Sequence, residues 1–411
     1  MSVVQMLPLR ELLEESQNGL SKRRGDGNAV PVLRLADIVA GQLDESDPRE
    51  INLTDKEFAK YRLLHGDLAC IRVNGSKALV GRVIPFKSAR SWAYCDHFIR
   101  FRPKHDVVDF RYLTHFFSTR TVRRHVELNM VSSAGQNTVS QGTMLDIQVP
   151  VPSLDEQRRI VAEIEKQFSR LDEAVANLQR VKANLRRYKA SVLKAAVEGR
   201  LVETGGEWSS VVLGDVALSV RNGCSVKPDA DSGTRILRIS AVRPLELDAE
   251  EIRFLPGPVE DYAPFDVKAG DVLFTRYNGS RDYVGVCAVV PKRMAPTIYP
   301  DKLIRVRVDP EKVHPEFLAI ACSAGAGRDF IKSKIRTTAG QSGVSGADIK
   351  AIPVSVPPIA EQEAIVAEAD RRLSVLRNVE AEVNANLQRA QTLRQSVLAK
   401  SFQQSQHTHN H

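Results

Sequence analysis

Between Pro152 and Gly199 the apolar residues recur with a period of seven. Val161, Phe168, Val175, Lys182, Lys189 and Ala196 take the a positions, and Ile164, Leu171, Leu178, Leu185 and Val192 the d positions, so every d is apolar and two a positions are charged. That pattern predicts one long helix. Ser153 and Glu156 have the spacing of a capping box at its start, and Gly199 supplies a stop. A second such helix is predicted from about Ile359 to Phe402, with Ala369, Leu376, Val383, Ala390 and Val397 at d and with Glu380 and Arg394 among its a positions. At 1.5 Å per residue each helix would be on the order of 60 to 70 Å long, too long to be satisfied by one small domain. The two are expected to pack on each other, and the short joint after the first favours an antiparallel pair.

Outside the helices the periodicity changes to short β-rich runs, such as Val30 to Leu35, Leu68 to Val73 and Leu79 to Ile84, broken by Asn-Gly, Gly-Asp and Pro turns. A helix is predicted over Phe110 to His125. Ile236 to Ile239, Val272 to Arg276 and Val284 to Val290 repeat the strands later in the chain, which makes the fold class α/β or mixed α+β.

The repeat is close. Shifted by 204, Asn18, Gly19 and Ser21 meet Asn222, Gly223 and Ser225, and Gly66, Asp67, Arg72, Asn74, Gly75 and Ser76 meet Gly270, Asp271, Arg276, Asn278, Gly279 and Ser280. Shifted by 205, Asp96 meets Asp301, Ala134 to Gln136 meet Ala339 to Gln341, and Glu156, Gln157, Ile160 and Val161 meet Glu361, Gln362, Ile365 and Val366. A period this long exceeds that of solenoids and propellers and indicates duplicated domains. The expected division is a first globular domain over 1–152, a spacer helix over 153–206, a second domain over 207–357, a second spacer helix over 358–402 and a polar tail over 403–411.

The 411 residues, 43% hydrophobic, can fill two or three cores. Lys and Arg outnumber Asp and Glu by 58 to 50, a surplus that suits a polyanionic partner without proving one. Eleven basic and seven acidic residues lie between Asp155 and Arg200, whereas Ile359 to Phe402 carries six of each, so half of the net +8 sits on the first helix. That strip is either a solvated face or an approach to phosphates. Met1 to Arg10 shows no secretory pattern and no apolar run is long enough to span a bilayer, so a cytoplasmic protein without a membrane partner is expected. Cys70, Cys95, Cys224, Cys287 and Cys322 are scattered with no close pair, indicating free buried thiols and neither a zinc site nor a disulfide framework. His407, His409 and His411 alternate in the tail, where adventitious metal chelation is the alternative to simple fraying.

No catalytic constellation is present in the pattern. The glycine-rich stretches Ser323 to Gly327 and Ala339 to Gly346 lack the Gly-Lys-Ser/Thr ending of a phosphate-binding loop. No dinucleotide fingerprint follows a strand, and no adenine-methyltransferase tetrapeptide occurs. Pro300, Asp301 and Lys302 lack the acidic partners of a nuclease motif. No catalytic residue and no metal site is therefore assigned.

Residues suited to nucleic acid are easier to find. The matched loops Arg72 to Lys77 and Arg276 to Arg281 combine a guanidinium, an Asn-Gly turn, a hydroxyl and a second cation. A hairpin turn is the alternative reading, and it is the preferred one for the Asn-Gly pairs. The loops Ala134 to Ser140 and Ala339 to Ser345 add Gln136, Asn137, Gln341 and Ser342, with a packed turn leading into the helix as an equally good reading. The candidate DNA-binding set is Lys22, Arg23, Arg72, Asn74, Lys77, Gln136, Asn137, Lys227, Arg276, Tyr277, Asn278, Arg281, Gln341 and Ser342. Helix packing is assigned to Ile164, Leu171, Leu178, Leu185, Val192, Leu376, Val383 and Val397. Ser88 to Tyr94 has no close twin near Lys292 to Ile298, which makes it a candidate specificity segment, with simple drift as the rival explanation.

Two domains that each close with Ala-Gly-Gln, a Val-Ser pair, a Val-Pro step and Glu-Gln before a long helix resemble the specificity subunit of type I restriction-modification systems. The boundary segments are Val149 to Val161 and Val354 to Val366, and the helix ends near Ser191 to Val202 and Ser396 to Phe402 also look like that family. Pro358 departs from the pattern set by Ser153. The resemblance implies two target-recognition domains, each reading half of an interrupted sequence in double-stranded DNA, with antiparallel helices as a ruler. It also implies docking of two methyltransferase (modification) subunits that use S-adenosylmethionine, and of restriction (translocase and endonuclease) subunits that use ATP and Mg, with no cofactor on this chain. The rival readings are a coiled-coil scaffold whose globular ends bind proteins and a self-contained restriction-methylation enzyme, the latter lacking its motifs.

Overall fold

The computed structural model describes residues 4–21, 25–39, 41–338 and 340–407. Two compact units emerge, one of residues 1–178 with 385–411 and the other of residues 179–384. The division cuts through both long helices, which run over Leu154–Val197 and Ile359–His407. Each unit is thus a globular copy plus the start of one helix and the end of another.

In the first unit a four-stranded antiparallel sheet has the order Leu13–Asn18, Phe98–Pro103, Leu68–Ile71, Val83–Pro85. In the second, the same order is Ala217–Asn222, Leu303–Val308, Val272–Thr275, Cys287–Val289. The third strands, Leu-Ala-Cys-Ile and Val-Leu-Phe-Thr, are buried at every position, as expected of central strands covered on both faces. Gln5–Pro8 pairs with Gln148–Val151, and Ser209–Val212 with Pro353–Val356, tying the start of each copy to the strand that precedes its helix.

Several sequence boundaries shift. The helix expected over Phe110 to His125 is two helices, Phe110–Phe117 and Arg120–Asn129, because the Thr119 hydroxyl caps the second by accepting from the Val122 amide at 3.4 Å. The strand expected over Leu79 to Ile84 starts only at Val83, and its twin over Val284 to Val290 is confined to Cys287–Val289. A turn precedes each, and it contains Gly81 (φ +79°) or Gly285 (φ +65°); a Cβ there would lie 2.7 Å from Val126 or 2.3 Å from Ile331. Glycine lets the turn approach the neighbouring helix. The polar tail is also shorter than expected, since the second helix continues through His407.

The heptad assignment survives in detail. At the a and d positions of the first helix every residue is buried or half-buried, including Lys182 and Lys189. Ile164, Val192, Leu376 and Val383 are buried, and Leu171, Leu178, Leu185 and Val397 are half-buried. In the first unit Ile160, Val161 and Ile164 share a core with Leu68, Phe101, Tyr112 and Phe116 and with Leu398 and Phe402 from the end of the second helix. The second unit mirrors this, packing Val192 and Ala196 with Phe274, Phe317, Ile365, Ala369 and Leu373. Start meets end in both, so the helices run antiparallel within each unit. Among the described residues, no helix is long and apolar enough to cross a membrane.

Candidate nucleic-acid interface

The two loops that the repeat singles out lie far apart in sequence but form one small sheet. Val73–Asn74 pairs with Gln136–Thr138, which pairs with Val131–Ser133. In the second copy Tyr277–Asn278, Gln341–Gly343 and Arg336–Thr338 repeat the arrangement. Asn74 sits opposite Asn137, and Asn278 opposite Ser342.

Part of the candidate set holds this sheet together. The Asn74 side-chain oxygen accepts from the Ser76 amide at 2.8 Å, and that of Asn278 from Ser280 at 2.9 Å, so both close their own turns. Asn137 is buried; its Nδ2 donates to the carbonyls of Asn74 and Gly75 at 3.3 and 2.9 Å, while its oxygen accepts from the Ser132 hydroxyl at 2.6 Å. Ser342 is buried and hydrogen bonds with the Thr337 hydroxyl at 2.9 Å. All four side chains bond within the sheet or its turns, which is the hairpin reading preferred for Asn74 and Asn278 and the packed-turn alternative for Asn137 and Ser342.

The outward groups are the remaining ones. Lys77 and Gln136 are exposed at the first sheet and Arg72 is half-buried; Arg281 and Gln341 are exposed at the second. Arg276 stacks over the Tyr277 ring at 4.7 Å, with one Nη donating to the Asp301 carbonyl at 3.4 Å. Its Nε is buried with no hydrogen-bond partner among the described residues. A flat, pre-oriented guanidinium suits a base edge or a phosphate. Lys227 is exposed on the segment after Asn222, outside the sheet. Lys22 and Arg23 lie outside the described residues, as do His409 and His411.

Polar groups that the repeat marked without assigning a role turn out to hold each globular copy and its helix together. Asp67, 2% exposed at its side chain, accepts from Arg102 Nε and Nη2 at 2.9 and 2.8 Å, and Asp271 from Arg307 at 2.7 and 2.7 Å. Hydrogen bonding to the aspartate raises the pKa of each arginine above its ordinary value. Gln157 and Gln362, both 0% exposed, tie each long helix to its globular copy through backbone groups. Ser153 caps the first helix, its hydroxyl accepting from the Glu156 amide at 3.4 Å, but the Glu156 carboxylate turns to Arg159 and leaves the capping box half made. Glu361 in the second copy instead accepts from the amides of Gly205 and Gly206 at 3.1 and 2.6 Å.

The cysteines are free; Cys70, Cys224, Cys287 and Cys322 are buried and Cys95 is half-buried. Burial pushes the Cys287 thiol up to about 12. Cys95 is an exception to the scattered pattern, because its side chain meets Asp96 and His97. The signal in the sequence was the Cys-Asp-His tripeptide.

Comparison with known proteins agrees with this architecture. The family model described as type I restriction modification DNA specificity domain matches residues 11–183. The EcoKI specificity subunit of Escherichia coli (strain K12) is 31% identical over 391 residues, 91% of this chain and 82% of that protein. The StySPI specificity subunit of Salmonella potsdam is 26% identical over 386 residues, covering 91% and 81%. A solved chain from work on complex assembly and conformational transition of the type I R-M system superposes with a TM-score of 0.75 at 16% identity, covering 98% of both chains. The HsdS subunit from Thermoanaerobacter tengcongensis gives 0.52 at 16% identity, covering 98% and 97%. The last two establish likeness of fold. By its identity to the EcoKI subunit across most of both lengths, the chain belongs to the family of type I restriction enzyme specificity subunits.

Proposed function

We propose that this chain is the non-catalytic DNA sequence-recognition subunit of a type I restriction-modification complex. Each globular copy reads one half of a bipartite double-stranded target, and the paired helices set the spacing and dock two methyltransferase subunits. The observation that carries this reading is the duplication of one recognition sheet per copy on a scaffold that aligns with a specificity subunit over 91% of the chain. Lys77, Arg72, Arg276 and Arg281 supply cations that position the DNA backbone or pair with guanine, and Gln136 and Gln341 supply amides that suit adenine. Sequence difference between the copies then gives two different half-sites. In this scheme S-adenosylmethionine is held by the methyltransferase partners, and ATP and Mg by restriction subunits, in the cytoplasm.

The test is duplex binding by the chain in complex with its methyltransferase. Affinity should fall linearly in log–log form with salt, by about 0.9 per phosphate neutralised. Arg276→Ala should cost about 1–3 kcal/mol and relax discrimination at one half-site only. Failure to bind any duplex at any salt concentration would favour a protein-binding scaffold.

A further inference from the structure

The turn that leads into Phe98–Pro103 gathers three side chains with metal-binding atoms. Cys95 Sγ lies 3.8 Å from His97 Nδ1, and that nitrogen lies 3.2 Å from an Asp96 carboxylate oxygen. One ligand atom from each residue lies within 4.8 Å of the other two. Around a tetrahedral zinc ion, bond lengths of about 2.3 Å to sulfur and 2.0 Å to nitrogen or oxygen place a sulfur and a nitrogen donor about 3.6 Å apart and two lighter donors about 3.3 Å apart. The two measured separations match those edges to within a few tenths of an ångström. The Cys95 Sγ also takes a backbone hydrogen bond from His97, so the case for a cation rests on the separations themselves.

The second copy is an internal control. Its turn has the same backbone bonds: the Asp96 amide donates to the Leu20 carbonyl at 3.0 Å and the Asp301 amide to Cys224 at 2.7 Å, while Arg72 and Arg276 donate to the carbonyls of His97 and Lys302 at 2.7 and 2.8 Å. The aspartate is retained, but Pro300 and Lys302 stand in place of Cys95 and His97. One copy follows its aspartate with a fixed cation, and the other flanks it with two more donors. The nearby Arg34 does not fill the gap, since its guanidinium is engaged by Asp37.

We propose that Cys95, Asp96 and His97 form a site for a zinc-class divalent cation, bound through Sγ, one carboxylate oxygen and Nδ1, with a fourth position open to water or an anion. The Sγ–H proton passes to solvent as the metal–sulfur bond forms, and no oxidation state changes. Cys95 and Asp96 are half-buried and His97 is exposed, so the ion has an entry path. Because the His97 carbonyl receives the Arg72 amide, occupancy would stiffen the base of the first recognition loop.

The experiment is cobalt(II) titration of the full chain carrying His407→Asn, His409→Asn and His411→Asn, which removes chelation by the tail. One equivalent should bind with a thiolate-to-cobalt charge-transfer band, release about one proton and be displaced by zinc. Cys95→Ser should abolish the band, and His97→Ala, at an exposed ring, should weaken binding by about tenfold or more. Absence of stoichiometric binding in the tail variant, or a band that survives Cys95→Ser, would overturn the site. Neither result would touch the DNA-recognition reading, which stands on other residues.

Discussion

Gln157 Oε1 accepts a hydrogen bond from the Asp109 amide at 2.9 Å, across 48 residues of sequence. Its Nε2 donates to the carbonyls of Val107 and Pro152 at 3.0 and 2.8 Å. Gln362 repeats all three contacts with His314, Lys312 and Pro357 at 2.7, 3.2 and 2.8 Å. One buried amide therefore fixes where each long helix leaves its globular copy. Gln157→Ala would leave one amide and two carbonyls without partners, so it should cost about 2–4 kcal/mol in urea denaturation. A midpoint equal to that of the exposed control Arg158→Ala would show that the contact is dispensable.

The Asp67–Arg102 and Asp271–Arg307 pairs stand in the central sheets, and each carboxylate also caps a turn, accepting from Leu64 or Lys268 at 2.8 or 2.7 Å. Removing the arginine strands the buried Asp67 carboxylate, which is 2% exposed. Arg102→Ala is expected to cost about 3–5 kcal/mol. Arg90→Ala, which breaks an exposed pair with Glu50, should cost less than about 1 kcal/mol. Comparable losses in thermal melts of the two variants would contradict the burial argument.

Burial lowers the pKa of His115 below its ordinary 6.5, Arg394 and Lys87 lower it further, and Glu165 opposes them. The folded state thus prefers the neutral ring. Its contribution to stability is present above 6.5 and is lost as pH falls through the depressed folded value. His115 packs edge-on against Phe168 of the first helix, 5.6 Å between ring centroids, so the loss falls on that contact. Acidification from pH 7.5 to 5 should reduce stability less in His115→Gln than in the parent, and an identical pH slope in both would dismiss the histidine.

Lys182, at an a position, donates to the Asn384 side chain at 2.8 Å. A polar residue in an apolar seam sacrifices stability and specifies register. Lys182→Leu should accordingly raise the melting temperature, by roughly 1 kcal/mol of added stability, while loosening the spacing between methylated half-sites. A lower melting temperature with unchanged spacing would show that the lysine acts only as a local brace.

Legibility in the sequence followed the range of the interaction. The helix faces were readable because burial at every a and d position, Lys182 included, follows from a local period. The break at Ser118 was not, since Tyr112, Leu113, Phe116, Val122 and Val126 keep helical spacing across it while the Thr119 cap restarts the helix. The repeat named both recognition loops, but their pairing rests on Asn137 reaching Gly75 over 62 residues. The same holds for Gln157, whose partners are backbone atoms that leave no mark on residue type.

The measurement that bears most directly on the central claim is the methylome of cells expressing this chain with its methyltransferase, before and after residues 1–152 are exchanged for those of a relative. One bipartite motif is predicted, and the exchange should change one half while leaving the other half and the gap intact. If both halves changed together, or neither did, the assignment of one half-site to each copy would be wrong.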